Sequence, residues 1–377
     1  MKITIKEITS KNDLKKFIKF PNKLYGDNKF YVPQLISAEL ETLSKDKNPA
    51  FDFCEAKYWL ACNENNTIVG RIAGIINHKY NKKTGKQLVR FGWLDFIEDI
   101  DVLKALIQAV VKFANEKGAD GIHGPLGFSE FDASGILIEG FDEIPTAYGK
   151  YNHPYYAQMI EQLGFEKEVD WVEFRVTVPD KIPVRYTRIA RSIAGRYKLQ
   201  NVQLKSKKEV LNYADQIFQL LNKEYENIHG FSGLTPNQID ALKKQFIPLL
   251  RLKFVSVILN AENKIIGFGI CLPSLSKAFQ KCRGRLFPFG FLHIQKALRI
   301  NDTIDTLLIA IHSDYRNKGV NALIFNNIGN AIVSEGIKYI ETTRELEHNL
   351  SAQNLWDKLE NRQHKRSRCY FKKIKYN

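Results

Sequence analysis

The sequence predicts an α/β protein in which two copies of one plan each form a mixed sheet with helices on both faces. Three observations predict it. The chain has 377 residues, longer than one hydrophobic core usually grows, which suggests two domains. A β-hairpin pattern occurs once in each half. In each half, a long helical pattern closed by glycine also precedes a short strand, as in α/β folds.

The hairpin pattern consists of two apolar runs separated by a polar turn. It covers 58–75 in the first half and 254–270 in the second. The glycine near the start of the second run is Gly70 in one copy and Gly267 in the other, an offset of 267 − 70 = 197 residues. A repeat at this distance indicates duplication of one supersecondary unit.

The helical repeat gives a second, independent alignment of the halves. Residues 102–117 end at Gly118 and residues 321–335 end at Gly336, an offset of 336 − 118 = 218 residues. The difference from the hairpin offset is 218 − 197 = 21 residues. We therefore predict an insertion in the second copy, within 273–301.

The boundary between the copies is predicted near residue 180. Pro179 and Pro183 lie four residues apart, and proline disfavours both helix interiors and central strands. The expected domains are 1–180 and 181–377. Their final strands are predicted at 172–178 and 369–374.

Composition excludes several classes of protein. Hydrophobic residues make up 44% of the chain, which is enough for two cores and argues against disorder. No stretch approaches the roughly 18 uninterrupted apolar residues of a membrane span, and the first residues alternate like a strand rather than a signal peptide. We therefore expect a cytoplasmic protein. Five cysteines without a CxxC pair predict no disulfide framework and no metal site.

The net charge of +15 predicts an anionic partner. Nucleic acid, a phospholipid surface and a phosphate-rich cofactor all remain open at this point. The densest basic run covers 362–368. Such runs are also common on solvated faces, so the run does not choose among the three.

The strongest local pattern lies around residues 306–324. An apolar strand runs into a charged turn, and a glycine in that turn opens a helix. Free N–H groups and the helix dipole at such a turn bind phosphate, and Arg316 and Lys318 add positive charge. Gly319 allows a close backbone approach.

This pattern resembles the pyrophosphate-binding motif R-x-x-G-x-G/A of the GNAT superfamily of acyl-coenzyme A-dependent N-acyltransferases. Arg316 and Gly319 match, whereas Asn321 replaces the usual small residue. The resemblance implies two tandem GNAT-like folds, the second binding acetyl-CoA or another acyl-CoA. The residues it assigns to the cofactor are Ile309, Ile311, Arg316, Asn317, Lys318, Gly319, Val320, Asn321, Asn349 and Trp356.

Residues 349–361 resemble the next helix of the family. Asn349 and Ala352 match the family pattern, but Trp356 stands where a tyrosine is usual. In GNAT enzymes that tyrosine often protonates the leaving thiolate, which an indole N–H cannot do. The resemblance therefore supports cofactor binding more than it supports efficient catalysis.

The resemblance implies transfer of the acyl group to an amine of a small molecule or amino acid. The backbone N–H groups of 309–311 would polarise the thioester carbonyl. His312, Glu341 and Asp305 are candidate bases, each with a structural alternative as a turn residue, a salt-bridge partner or a strand-edge charge.

The first copy departs further from the family. Residues 97–101 are acidic where the motif would lie and would repel a pyrophosphate, so this copy is interpreted as non-catalytic. The long connection 124–153 is either a wrap between domains or the lining of an acceptor cleft. Its cleft candidates are Asp132, Ser134, Tyr148 and Tyr151.

Two further functions remain open. The first is a catalytically inactive sensor of coenzyme A or another ligand, which Asn321 and Trp356 favour. The second is an RNA- or tRNA-associated transferase that uses the basic tail; a nucleic-acid partner is possible, but it is not the favoured interpretation.

The predicted insertion combines aromatic and basic residues. Its phenylalanines are Phe279, Phe287, Phe289 and Phe291, among six lysines and arginines. They could form an acyl-chain pocket or touch anionic lipid. The ordinary explanation is a helix whose phenylalanines fill the core, and that explanation is favoured.

Overall fold

The computed structural model describes residues 2–374. The strands of the first half are β1 Thr4–Glu7, β2 Cys54–Cys62, β3 Ile68–Asn77, β4 Leu88–Phe96, β5 Gly121–Gly124, β6 Ile136–Glu139 and β7 Glu166–Thr177. Its helices are α1 Lys11–Leu24, α2 Ile36–Thr42, α3 His78–Thr84, α4 Ile100–Glu116 and α5 Tyr155–Gln162. The predicted connection 124–153 therefore contains one short strand, β6.

The second half follows the same plan with extra helices. Its helices are α6 Val184–Tyr197, α7 Lys207–Glu224, α8 Pro236–Phe246, α9 Ser276–Cys282, α10 Gly290–Arg299, α11 Asn321–Ser334 and α12 Leu350–Gln353. Its strands are β8 Gln200–Asn201, β9 Val255–Leu259, β10 Ile265–Pro273, β11 Thr303–Ile311, β12 Tyr339–Glu341, β13 Glu345–Leu346 and β14 Asn361–Lys373. The predicted insertion is the pair α9 and α10.

The strands form one mixed sheet, as the fold class predicts. Its order is β1-β2-β3-β4-β5-β14-β7-β12-β11-β10-β9-β8, with β6 beside β14 and β13 beside β7. β4 pairs with β5 in parallel, and β11 pairs with β12 in parallel. The pairs β1–β2, β2–β3 and β3–β4 are antiparallel. The two halves thus repeat the same strand arrangement, each from one edge of the sheet towards its centre.

The last strands of the two halves are exchanged at the centre. β14, the final strand of the second half, pairs with β5 of the first half. β7, the final strand of the first half, pairs with β12 of the second half. Each half therefore completes its sheet with a strand from the other. The boundary near residue 180 stays a prediction, and it lies in the connection between β7 and α6.

The repeated hairpin is confirmed down to the hydrogen bonds of its turn. Asn63 donates its N–H to the carbonyl of Thr67, and Asn260 donates its N–H to the carbonyl of Lys264, both at 3.0 Å. Asn66 and Asn263 occupy the left-handed region with φ of 59° and 58°. Asparagine tolerates this conformation better than other non-glycine residues. The same residue type thus makes the same turn in both copies.

Apolar helix faces cover the sheet on both sides. In the first half α4 packs through Leu103, Leu106 and Val110, and α1 covers the other face with Phe17. In the second half α11 packs on one face and α7 on the other. These cores explain the amphipathic periodicity of the helices.

Two predictions for the C-terminal segment are wrong. Residues 349–361 do not form a long helix, because α12 covers only Leu350–Gln353. The basic run at 362–368 is not a tail either. It lies inside β14, the central strand, where Arg368 contacts Asp170 with Nε–Oδ1 at 2.8 Å and Lys365 is buried beside Glu173. These positive charges are neutralised by carboxylates of β7.

No helix among residues 2–374 combines the length and the apolar character that crossing a bilayer requires.

Candidate active site

In the second half, one edge of β11 is not paired with another strand of the described chain over part of its length. β11 and β12 pair only where Thr303 to Asp305 lie beside Tyr339 to Glu341. Beyond Asp305 the two strands diverge, while β11 continues to Ile311 along β10. The divergence leaves one edge of β11 without a strand partner.

The orientation of the free groups follows from the ladder. His312 donates its N–H to the carbonyl of Ile266 on β10. Because main-chain groups alternate along an antiparallel strand, the N–H and C=O groups of Ile309 and Ile311 point to the opposite, open edge. The hydroxyl of Tyr225 donates to the Ile309 carbonyl at 3.0 Å from that side. The edge therefore presents main-chain donors and acceptors to an extended ligand.

A cavity of about 360 Å³ adjoins this edge. This volume lies within the usual range of small-molecule sites, about 300 to 1,000 Å³. Its walls are mainly apolar and come from β11, from α11 and from the segment that leads into α6. Representative wall residues are Leu308, Ile309, Ile324, Phe325, Ile328 and Pro183. Its polar lining includes Arg90, Glu130, His229, Arg344, Glu345 and Asn349.

The turn between β11 and α11 has the features that bind phosphate. Within the described chain, the N–H groups of Asn317, Gly319, Val320 and Asn321 donate to no protein acceptor. Gly319 has φ of 77°, which favours glycine. The turn itself does not line the cavity, but the next turn of α11 contributes Ile324 and Phe325 to the wall.

The charges beside the turn differ from the expectation. Arg316 is bound to Glu224, whose other carboxylate oxygen accepts the N–H of Ser313 at 3.0 Å. This pair fixes the turn and neutralises Arg316. Lys318 lies over the ring of Tyr197, 5.6 Å from its centroid, and is the remaining cation of the turn. Helix α6 covers one side, because a Cβ on Gly319 would lie 3.0 Å from Ile193.

Glu345 is the carboxylate on the cavity wall that belongs to the second half. Its Oε1 accepts the indole N–H of Trp356 at 3.0 Å, while its buried Oε2 has no partner among the described residues. Burial raises the pKa of Glu345 to about 7. Trp356 thus orients a carboxylate that can exchange a proton near neutral pH.

Both halves contribute to the remaining polar wall, with Arg90 on β4, Glu130 in a loop of the first half and His229 in a loop of the second half. Arg90 donates to the carbonyls of Gly127 and Gly230 at 2.9 and 2.8 Å. Burial raises the pKa of Glu130 to about 7 and lowers the pKa of His229 to about 4. The cavity therefore holds an uncharged imidazole and lies between the two halves of the chain.

The predicted bases lie outside the cavity lining. His312 accepts the N–H of Asp314 and contacts Lys223 at 3.0 Å, so it lies in the turn. Glu341 contacts His364 at 2.9 Å and Arg175 at 3.4 Å in a buried charged layer. Asp305 is buried in the same layer beside Glu341. The structure does not bring the three together at the open edge, and their catalytic role stays a prediction.

The acidity of Asp305 has a consequence for stability. Burial, together with the Glu341 charge, raises the pKa of Asp305 to about 8. The folded state then holds a proton that the unfolded state releases near pH 4, so stability falls as pH rises from about 4 to about 8. Asp305→Asn does not titrate, and we expect it to raise the melting temperature by on the order of 2–5 °C at pH 8 and by less at pH 5.

Thermal unfolding at both pH values measures this effect. Asp314→Asn, at an exposed position of the turn, is the control and should show no such trend. A larger gain for Asp305→Asn at pH 5 than at pH 8 would contradict the assignment.

Two of the four predicted cleft residues line the cavity, and the other two do not. Ser134 and Tyr148 line the cavity. Asp132 lies behind the wall, accepting the N–H of Ser129 at 2.9 Å. Tyr151 lies elsewhere, where its hydroxyl accepts the amide N–H of Asn28 at 2.7 Å. Of the predicted cofactor residues outside the turn, Ile309, Asn349 and Trp356 line the cavity, whereas Ile311 continues the open edge.

In the first half the corresponding opening is filled by the protein itself. Leu126 donates its N–H to the carbonyl of Phe91 on β4 at 2.8 Å. The hydroxyl of Tyr156 accepts the N–H of Phe96, and the hydroxyl of Tyr155 donates to the Phe96 carbonyl. The β4 edge therefore has few groups left for a ligand.

The turn after β4 is also capped internally. Asp99 accepts the N–H of Asp101 at 2.8 Å with its own side chain. A carboxylate already occupies the helix N-terminus where a phosphate would bind. This agrees with the interpretation of the first copy as non-catalytic.

Among the described residues, one cluster has the spacing of metal ligands, although the sequence predicts no metal. Ligand atoms of His123, Glu168 and His229 lie within 4.8 Å of one another. His123 Nδ1 and Glu168 Oε2 are 3.1 Å apart, a hydrogen-bond distance. The guanidinium of Arg90 lies over Tyr80, which stacks on His123. The hydrogen bond accounts for the His123–Glu168 pair, whereas His229 Nε2 lies 3.6 Å from Glu168 Oε2 and has no hydrogen-bond partner among the described residues. The nearby positive charge of Arg90 disfavours a metal cation here.

Comparison with solved structures identifies the fold. The chain is similar over 100% of its length, and over 100% of that chain, to a tandem GNAT protein from the clavulanic acid biosynthesis pathway, with a TM-score of 0.57 and 11% identity. It is also similar to a GCN5-related N-acetyltransferase from Sphaerobacter thermophilus, with a TM-score of 0.53 and 10% identity, over 100% and 96% of the two chains. This protein therefore has the tandem GNAT fold.

Comparison with curated proteins gives two relatives. Protein YghO of Escherichia coli is 27% identical over 377 residues, covering 98% of this chain and 95% of that protein. The bacterial ceramide synthase of Caulobacter vibrioides is 24% identical over 292 residues, covering 76% and 74%. No protein-family profile matches the sequence.

Several site residues were missed by the sequence analysis. Glu345 lies in a strand of two residues, and Glu130 and His229 lie in connections, so periodicity does not select them. Trp356 was predicted as a cofactor residue and as a departure from the family pattern, but not as the partner of Glu345. The sequence shows that Trp356 lies eleven residues after Glu345. This spacing indicates a contact only once the structure shows that the chain turns back on itself between the two residues.

Proposed function

We propose that this protein is an acyl-CoA-dependent N-acyltransferase whose acyl chain and acceptor are long and apolar. The observation that carries the proposal is that three features lie next to one another in the second half. They are a turn with unpartnered N–H groups, the open edge of β11 and an apolar cavity beside that edge. The sequence predicted acyl transfer from acetyl-CoA or another acyl-CoA, with acetyl transfer favoured, to an amine of a small molecule or amino acid. The cavity favours the longer ligands.

The turn and the edge suit the two ends of coenzyme A. Unpartnered N–H groups at the N-terminus of α11 would bind the diphosphate, aided by the helix dipole and Lys318. The amide groups of the pantetheine arm would hydrogen-bond to the free edge at Ile309 and Ile311. The thioester would then lie beside the cavity, where the N–H of Ile309 would polarise its carbonyl.

The walls suit hydrocarbon rather than a charged acceptor. More than half of the lining residues are isoleucine, leucine, phenylalanine, proline or tryptophan, and burial of each methylene contributes about 0.8 kcal/mol. One relative, at 24% identity, is named a bacterial ceramide synthase. Ceramides are amides of a fatty acid and a long-chain amino alcohol, which is the kind of product that such a cavity would hold.

Glu345 is the proposed general base. Its carboxylate would accept a proton from the acceptor amine as the nitrogen forms a bond with the thioester carbon. The carbon–sulfur bond then breaks, and the thiolate leaves and takes up a proton. Because an indole is not an acid, Trp356 orients Glu345 and does not protonate the thiolate.

A thiol-release assay tests the proposal. With a long-chain amino alcohol as acceptor, palmitoyl-CoA is expected to react with kcat/KM at least ~100-fold above that of acetyl-CoA, because acetyl leaves the apolar walls uncovered. An amino acid acceptor serves as the control. Faster reaction of acetyl-CoA with the amino acid would overturn the long-chain assignment.

The replacement of tyrosine by Trp356 favours one second candidate, an inactive coenzyme A sensor. Calorimetry with palmitoyl-CoA and acetyl-CoA accompanies the assay. Binding without release of thiol on any amine would support the sensor, and absence of binding would exclude both functions.

A further inference from the structure

The segment between β10 and β11 presents a cluster of exposed apolar side chains. The members of this cluster, named the insertion patch, are Phe287, Phe289, Phe291, Leu292 and Ile300. Phe287, Phe289 and Ile300 are 78%, 70% and 75% exposed. Single exposed apolar residues are ordinary, whereas several from one segment mark a contact surface.

The packing of α10 explains why these side chains are left outside. α10 buries its opposite face, with Ile294, Ala297 and Leu298 packed on Phe279 of α9. The rings of Phe287 and Phe291 contact each other, with centroids 6.0 Å apart. The favoured expectation that the phenylalanines fill the core is therefore correct only for Phe279.

The acyl-pocket alternative is also excluded for these side chains. None of the patch residues lines the cavity, whose walls belong to β11, α11 and the connection before α6. The patch thus needs an explanation separate from the active site.

The charged residues within this segment have one sign. Between Ser274 and Asn301 the sequence has no acidic residue. It has six basic residues, which are Lys277, Lys281, Arg283, Arg285, Lys296 and Arg299. A shallow surface depression next to the patch is lined by Lys277, Gln280, Lys281, Arg283 and His293. Lys277 pairs with Asp302, with Nζ–Oδ2 at 3.4 Å, so Lys281 and Arg283 are the lining cations without a carboxylate partner among the described residues.

We propose that the insertion patch docks the protein on an anionic phospholipid bilayer. Phe287 and Phe289 enter the boundary between headgroups and acyl chains, and the basic depression receives headgroup phosphates. Aromatic anchors within a basic rim are the pattern that binds a membrane surface without spanning it. A folded protein partner would need acidic groups at its rim. RNA, whose bases stack on aromatic rings, would leave the aliphatic side chains of Leu292 and Ile300 without an apolar environment.

This inference goes beyond the proposed function, because it concerns a surface outside the cavity and needs no substrate. Sedimentation with vesicles in the absence of acyl-CoA measures it directly. The full chain is expected to bind vesicles of phosphatidylglycerol and phosphatidylcholine, to bind pure phosphatidylcholine much less, and to be released in part by 0.5 M salt.

Paired variants separate the apolar and the charged contributions. Phe287→Ser with Phe289→Ser is expected to lower the partition coefficient ~10-fold or more, because two aromatic rings no longer leave water. Leu211→Ser, at an exposed apolar position of α7, is the matched control and should bind like the unchanged protein. All three side chains are on the surface, and unchanged melting temperatures would verify the fold.

Lys281→Glu with Arg285→Glu is expected to lower binding to the anionic vesicles ~10-fold or more. Lys104→Glu with Lys112→Glu makes the same change of net charge on exposed positions of α4 and should have a much smaller effect. Equal loss in both pairs would assign binding to net charge alone and overturn the proposal. Absence of vesicle binding, or binding of RNA but not vesicles through the same lysine and arginine, would overturn it as well.

Discussion

Glu345→Gln is expected to lower kcat by about 10²- to 10⁴-fold, the range typical of a general base. The amide keeps the shape of the side chain and can still accept the Trp356 N–H, but it cannot take a proton from the amine. The unchanged protein should lose activity as pH falls through about 7, where the Glu345 carboxylate becomes protonated. This loss of activity below about pH 7 is the acidic limb of the pH–activity profile, and the profile of the variant should lack it. Steady-state thiol release between pH 5.5 and 8.5 measures both effects.

Glu130→Gln is the matched control. Burial raises the pKa of Glu130 to about 7 as well, and this side chain also lines the cavity, but it comes from a loop of the first half. Its replacement is expected to leave the acidic limb in place. If the limb disappears with Glu130→Gln and persists with Glu345→Gln, the two carboxylates have been assigned the wrong way round.

Gly319→Glu is expected to weaken coenzyme A binding by about 100-fold or more while the protein stays folded. A carboxylate at the start of α11 would repel the diphosphate, and a charge pair at 4 Å is worth about 4 kcal/mol near a protein surface. A side chain here also meets Ile193 and has to adopt φ of 77°. Calorimetry with coenzyme A measures the affinity, and circular dichroism checks the fold.

Gly336→Glu gives the control for backbone strain and charge. Gly336 has φ of 69° with open space around its Cβ, and it follows the other end of the same helix. This variant is expected to bind coenzyme A like the unchanged protein. Unchanged affinity in Gly319→Glu would place the diphosphate elsewhere and remove the main support for the proposed function.

Local patterns in the sequence predicted the repeated parts of the fold. The hairpin turns at Asn63 and Asn260 and the helices closed by Gly118 and Gly336 depend on neighbouring residues, and all are present. The exchange of β7 and β14 depends on which strand edges meet in space. Its only trace was the unusual composition of 362–368, where basic residues are paired with carboxylates of β7.

The candidate site was predictable to a similar extent. The turn around Gly319 could be predicted because a phosphate-binding turn is a continuous stretch of chain. The ionisable part of the polar lining could not, because Glu130 and His229 come from two separated connections and Glu345 from a strand of two residues. The long predicted helix at 349–361 failed because its residues turn back to place Trp356 against Glu345 and then enter β14.

The exchange of the final strands β7 and β14 determines the order in which the protein can fold during its synthesis. During synthesis the first half emerges with β5 facing an empty place in its sheet, and the strand that fills it, β14, begins 361 − 124 = 237 residues after β5 ends. Until then β5 and β7 have exposed edges, so a nascent chain paused before residue 361 is a target for chaperones and aggregation. Neither half therefore completes its sheet alone, and truncation before residue 361 would leave β5 of the first half without one of its partners.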